Sequence, residues 1–143
     1  MLLASADFLK WKRLMEKLSQ SLEDYLKAIV ELGGTTKQSV RPSDIARKMG
    51  VSKTSVGKAL TALRAHGLVD QPYYGEATPT EEGYAYGTAI LKRHRYLTAF
   101  LAKAVGLPPE TAKEEACMME HAISDESFER WIDYITRLGV VEE

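Results

Sequence analysis

The stretch Pro42-Ser43-Asp44-Ile45-Ala46-Arg47-Lys48-Met49-Gly50-Val51-Ser52-Lys53-Thr54-Ser55-Val56-Gly57-Lys58-Ala59-Leu60-Thr61-Ala62-Leu63-Arg64-Ala65-His66-Gly67 reads as a helix, a tight turn and a second helix. Pro42-Ser43 opens a short helix through Met49, which Gly50 ends. Ser52 is a side-chain cap for the longer run, in which Val56, Leu60 and Leu63 fall on one face until Gly67 stops it. Gly50 tolerates the left-handed conformation that an abrupt change of direction requires, so a helix-turn-helix follows.

Working outward, Ser21-Leu22-Glu23-Asp24 opens a helix expected over 21–32, with Ser21 as its cap and Gly33-Gly34 as its stop. Before it, Phe8, Trp11, Leu14, Met15 and Leu18 stand at helical spacing and suggest a short amphipathic arm over residues 1–20. On the other side, Leu68-Val69-Asp70-Gln71-Pro72-Tyr73-Tyr74-Gly75-Glu76-Ala77-Thr78-Pro79 predicts two short strands around a glycine-containing turn, a wing. A long helical stretch is expected from Thr80 to about Val105, where Gly106-Leu107-Pro108-Pro109 breaks it. The next helix carries Cys117 to His121. The last is capped by Ser124, striped by Phe128, Trp131, Ile132, Ile135 and Leu138, and ended by Gly139. The expected architecture is mainly α: a winged helix-turn-helix over 21–87, then a helical domain over 88–143.

Composition bounds the function. The chain has 143 residues, 45% hydrophobic and 27% charged, enough for a core and too few for a large multidomain catalyst. No stretch approaches the roughly 20 consecutive apolar residues of a membrane helix, and the first 18 residues carry too many charges for a signal peptide. A cytoplasmic protein without membrane contact is expected. The lone Cys117 builds no internal disulfide and is left for metal or redox chemistry. Formal net charge is −1, yet residues 41–66 carry six Lys or Arg against Asp44 alone, whereas 107–143 carry ten acidic residues against three basic. The basic block suits a polyanion, the acidic block cations.

In a helix-turn-helix the second helix enters the major groove by its first turns. Ser52, Lys53, Thr54, Ser55 and Lys58 supply short donors and cations there, Arg41 can hold flanking backbone, and Tyr73 and Tyr74 stand at the tip of the wing. Cys117, Glu120 and His121 fall at i, i+3 and i+4, so sulfur, carboxylate and imidazole share one helical face, and His94 can join from the preceding helix. Such a mixed donor set suits Fe, Mn, Co, Ni or Zn better than Mg or Ca.

With these residues in view, the sequence resembles the diphtheria-toxin-repressor family of metal-dependent transcriptional regulators, notably its compact manganese-responsive members. The resemblance runs from Leu22 to Ile135 through Glu23-Asp24-Tyr25-Leu26, Ser43-Asp44-Ile45-Ala46, Gly67-Leu68-Val69, Thr78-Pro79-Thr80 with Gly83, Lys92-Arg93-His94-Arg95 and Glu115-Ala116-Cys117 with Glu120-His121-Ala122-Ile123-Ser124-Asp125-Glu126. It implies a homodimeric repressor of metal-uptake genes that binds double-stranded DNA at a palindromic operator and has no enzymatic activity. It also implies a metal site of Asp24, Cys117, Glu120 and His121, with His94 matching a ligand of a second family site. Fe(II) or Mn(II) is the expected co-repressor, with Zn(II), Co(II) or Ni(II) able to substitute in vitro. Lys27 stands where the manganese-responsive members carry a bridging glutamate, so their two-metal cluster is not expected. Thr98 and Lys113 replace the glutamate and histidine of the second site in the iron-responsive branch. No C-terminal SH3-like domain is expected. Two rival readings are a winged-helix regulator that senses redox state at Cys117, or senses nothing, and a small metalloenzyme.

Overall fold

The computed structural model describes residues 18–70 and 75–141. The expected arm at residues 1–17, and Tyr73 and Tyr74 of the wing, lie outside the described residues. The chain divides into two compact units, the first ending at Ala89 and the second beginning at Ile90.

In the first unit α1 spans Gln20–Glu31, α2 Pro42–Met49 and α3 Lys53–Ala65. Strand β1 (Val69–Asp70) pairs antiparallel with β2 (Thr78–Pro79), and Val40 bridges Ala77 to widen the small sheet. The cap of α1 is Ser19 rather than the expected Ser21, because it is the Ser19 hydroxyl that accepts the Leu22 N–H, at 3.2 Å. Ser21 lies inside the first turn, where its side chain cannot reach back to those donors. The other signals act as expected: Ser52 accepts from Ser55 N at 3.1 Å, and Gly50 takes φ 67°, turning the chain from α2 into α3. Leu26, Ile29, Ile45, Val56, Leu60, Leu63 and Leu68 are fully buried and form the core beneath the three helices.

Helix α4 runs Glu81–Ala99. Thr80 Oγ1 caps its start by accepting from Gly83 N at 3.0 Å while donating to Gly67 O at 2.8 Å, which ties the helix to the turn after α3. The helix starts so close to β1 that a Cβ on Gly83 would overlap the Leu68 carbonyl. The expected long helix then changes pitch: Phe100–Val105 is a π-helix, ended by Gly106 in a left-handed conformation.

In the second unit α5 spans Pro109–Glu120 and α6 Asp125–Leu138. Ser124 caps α6 by accepting from Ser127 N at 3.1 Å. Tyr96, Leu97 and Leu101 pack with Ala112, Ala116, Phe128 and Ile135 into one core cluster. Phe100, in the π-helical turn, meets Trp131 edge-on at 5.6 Å. No helix among the described residues is long and apolar enough to cross a membrane.

Candidate metal centre and nucleic-acid interface

Helix α3 has two faces. Val56, Ala59, Leu60 and Leu63 point into the core, which leaves Lys53, Thr54, Ser55, Gly57, Lys58, Thr61 and Arg64 in solvent. Of the residues expected to face DNA, Ser52, Lys53, Thr54, Ser55, Lys58 and Arg41 are all exposed. Three of them, Ser52, Ser55 and Arg41, already have partners within the chain. The Ser52 hydroxyl caps the helix and donates to Ser55 Oγ at 3.0 Å, so it holds the N-terminus in shape rather than standing ready for a base. Arg41 Nε lies 3.3 Å from Asp44 Oδ2, and Arg47 Nη1 lies 3.3 Å from Asp44 Oδ1. One carboxylate thus orients two exposed guanidinium groups, Arg41 just before α2 and Arg47 in its last turn. Arg47 was not singled out by sequence reasoning. Nor were Thr61 and Arg64, which extend the line of Thr54, Gly57 and Lys58 along a shallow groove on the outer face of α3. Their signal was available, since 54, 57, 58, 61 and 64 follow helical spacing.

Asp24 lies in the first unit, in the early turns of α1. Its side chain is 27% exposed, and Lys27 Nζ lies 3.9 Å from its Oδ1. The residue before it, Glu23, is buried and accepts a 2.5 Å hydrogen bond from the hydroxyl of Tyr86, which is itself fully buried. This bond joins α1 to α4 inside the unit.

The remaining candidate ligands gather at the end of α5. Cys117 and Glu120 stand one helical turn apart. His121 is the residue just beyond the helix, not within it, but its φ of −88° and ψ of −14° carry the helical path onward, so its ring stays on the same side. One donor atom each from Cys117, Glu120 and His121 lie within 4.8 Å of one another. Glu120 is 1% exposed, and two imidazoles flank its carboxylate: His121 Nε2 is 3.5 Å from Oε1, and His94 Nδ1 is 3.3 Å from Oε2. His94 Nδ1 is buried, and its approach to Glu120 lacks the alignment of a hydrogen bond. A buried carboxylate is tolerated where positive charge or donors compensate it. A thiol, a carboxylate and one imidazole converging on one point are a donor set for a divalent transition ion, and the residues present fit one; the expected ligand His94 is not among the donors that converge there, and only faces Glu120. At the positions of the second family site, Lys113 is exposed, and Thr98 Oγ1 is buried without a hydrogen-bond partner among the described residues. The expectation that this second site is altered rests on these two residues.

Comparison with known families matches residues 17–77 to the N-terminal DNA-binding domain of iron-dependent repressors, and residues 80–140 to their metal-binding and dimerisation domain. The chain belongs to the iron-dependent repressor family. Within it, a helix-turn-helix transcriptional regulator of Methanocaldococcus jannaschii is 36% identical over 114 residues, covering 79% of this chain and 90% of the relative. The transcriptional regulator MntR of Escherichia coli is 31% identical over 108 residues, covering 76% of this chain and 68% of its own. Among solved structures, the manganese regulator SloR superposes with a TM-score of 0.70 at 29% identity over 80% of this chain, which spans 53% of the SloR chain. The iron-dependent repressors are metal-dependent DNA-binding transcriptional regulators and not enzymes, which sets aside the metalloenzyme reading.

Proposed function

We propose that this chain is a homodimeric repressor of metal-uptake genes whose affinity for a palindromic operator rises when Fe(II) or Mn(II) is bound by Asp24, Cys117, Glu120 and His121. The observation that carries the reading is the convergence of Cys117, Glu120 and His121 at the end of α5, in a chain that also presents the basic outer face of α3. A bound divalent ion would supply the charge that balances thiolate and carboxylate, and a bond from the ligands of the metal-binding half to Asp24 on the DNA-reading half. The soft sulfur of Cys117 favours Fe(II) over the harder Mn(II). We assign the reading half to 21–87 and the pairing half to 88–143.

The chain's own residues do the rest. Asp24 sits on α1, which packs against α2 and α3. A constraint on α1 is therefore felt by the recognition helix, and less ordering free energy is lost when two such helices enter half-sites about one DNA turn apart. Lys53, Thr54, Ser55 and Lys58 read or hold the groove, and Arg41 holds flanking phosphate. Phe100, Trp131 and the exposed Tyr134 line a shallow apolar surface suited to a second copy of the chain.

The test is an anaerobic titration of Fe(II), Mn(II) and Zn(II) against a duplex selected from a randomised pool by the metal-loaded protein. Affinity should rise with metal and fall with chelator, and Asp24→Ala and His121→Ala should lose the response. Variants that bind the duplex as tightly as the parent, with no response to metal, would overturn the linkage.

A further inference from the structure

Arg93 is 6% exposed, a burial rarely seen for arginine without full pairing. Its guanidinium reaches into the turn between α5 and α6. Nη1 donates to the carbonyl of Glu120 at 2.9 Å and to the carbonyl of Ile123 at 2.7 Å, while Nη2 pairs with the carboxylate of Asp125. The group also lies over the ring of Phe128, 5.1 Å from its centroid. One planar fork therefore binds the last carbonyl of α5, the Ile123 carbonyl in the turn and the first residue of α6, so that a cation stands at the C-terminus of α5 and a carboxylate at the N-terminus of α6, where the helix dipoles favour them. The next residue on α4, His94, faces the same glutamate from the side-chain end. Glu120 is thus held at its carbonyl by Arg93 and met at its carboxylate by His94.

We infer that Arg93 is the positioning residue of the metal centre: by fixing the α5–α6 turn it sets the directions of the Glu120 carboxylate and the His121 imidazole before any ion arrives. The inference rests on the metal-site reading above. His121 is the C-cap of α5, and its φ of −88° and ψ of −14° continue the helical path, so the direction in which its side chain leaves the backbone follows the path of residues 120–125. That path is what Arg93 pins at 120, 123 and 125. Groups that orient metal ligands without touching the ion are commonly worth about 10–100-fold in metal affinity when removed.

The experiment is a chelator-competition titration of Mn(II) and Co(II) into the full-length parent, Arg93→Met, Arg93→Lys and Asp125→Asn, with the visible absorption spectrum of the Co(II) form as the measure of ligand geometry. Arg93→Met should lose about 10–100-fold in affinity and show a shifted Co(II) spectrum. Arg93→Lys should lie between it and the parent, because a single ammonium nitrogen cannot stand at both the Nη1 and the Nη2 position. Asp125→Asn, which leaves the two carbonyl contacts, should lose least. A folded Arg93→Met with the parent's affinity and spectrum, changed only in melting temperature, overturns the inference and leaves the metal site standing. If Arg93→Met does not fold, Arg93→Lys with the parent's affinity and spectrum overturns it in the same way. A parent that binds neither ion overturns the metal-site reading, and this inference with it.

Discussion

The outer face of α3 and the end of α5 both concentrate ionisable side chains, and they treat them in opposite ways. On α3, Lys53, Lys58 and Arg64 stand in water, so they cost the fold little and remain available to a polyanion. At the end of α5, Glu120 is buried among histidines, and Arg93 is buried against carbonyls and a carboxylate. Exposed charge acts by attraction over a distance of about a Debye length and weakens with salt. Buried charge acts by geometry and tolerates salt. The first arrangement suits a long anionic surface, and the second a single ion.

The contrast can be broken or sharpened in order of expected effect. The largest concerns the frame that carries the α3 face. Gly83→Ala drives a methyl group into the Leu68 carbonyl, a backbone clash no rotamer relieves, and should cost more than about 3 kcal/mol in denaturant unfolding. A loss under about 1 kcal/mol would show that α4 does not start as tightly against β1 as described. Next, metal at a hundredfold excess over its dissociation constant should stabilise the parent by about 2.7 kcal/mol, seen as a rise in melting temperature that chelator reverses. Glu120→Gln should lose most of that rise. If Glu120→Gln keeps the full rise, the ion sits elsewhere.

Smaller effects separate the two regions by salt. Lys58→Ala and Arg64→Ala should weaken binding to any duplex roughly alike and should each lower the salt slope of log affinity by about 1, while metal affinity stays at the parental value. An unchanged slope in both would remove the α3 face from the DNA contact. The smallest compares the two serine caps that act alike in both units. Ser52→Ala and Ser124→Ala should each cost about 1 kcal/mol of stability. A Ser52→Ala loss of DNA affinity beyond what that destabilisation explains would return Ser52 to a direct contact.

Much of this was legible in the chain itself. Glycines and serines punctuate the helices at Gly50, Ser52, Ser124 and Gly139, and they did so in the structure because capping and left-handed turns are local events. The misplacement of the α1 cap from Ser19 to Ser21 shows the limit of that locality, since two serines two residues apart offer the same chemistry and packing decides the helical phase. The spacing of Cys117, Glu120 and His121 was likewise readable, although His121 proved to lie just beyond the helix end. The change to π-helix at Phe100–Val105 had no readable signal in the spacing of its residues.

Sequence alone determined the order of elements, the face of α3 turned outward and the donor types near the end of α5, because each depends on spacing within a single helix. Tertiary structure decided which charges are spent inside. Of the neighbouring cations Lys92, Arg93 and Arg95, only Arg93 is buried, and only it meets carbonyls 27 and 30 residues away. Its position was hinted at by the spacing of Tyr86, Ile90, Arg93 and Leu97, all buried. What it binds could not be read from spacing, because hydrogen bonds between distant residues exist only once the helices that carry them have packed.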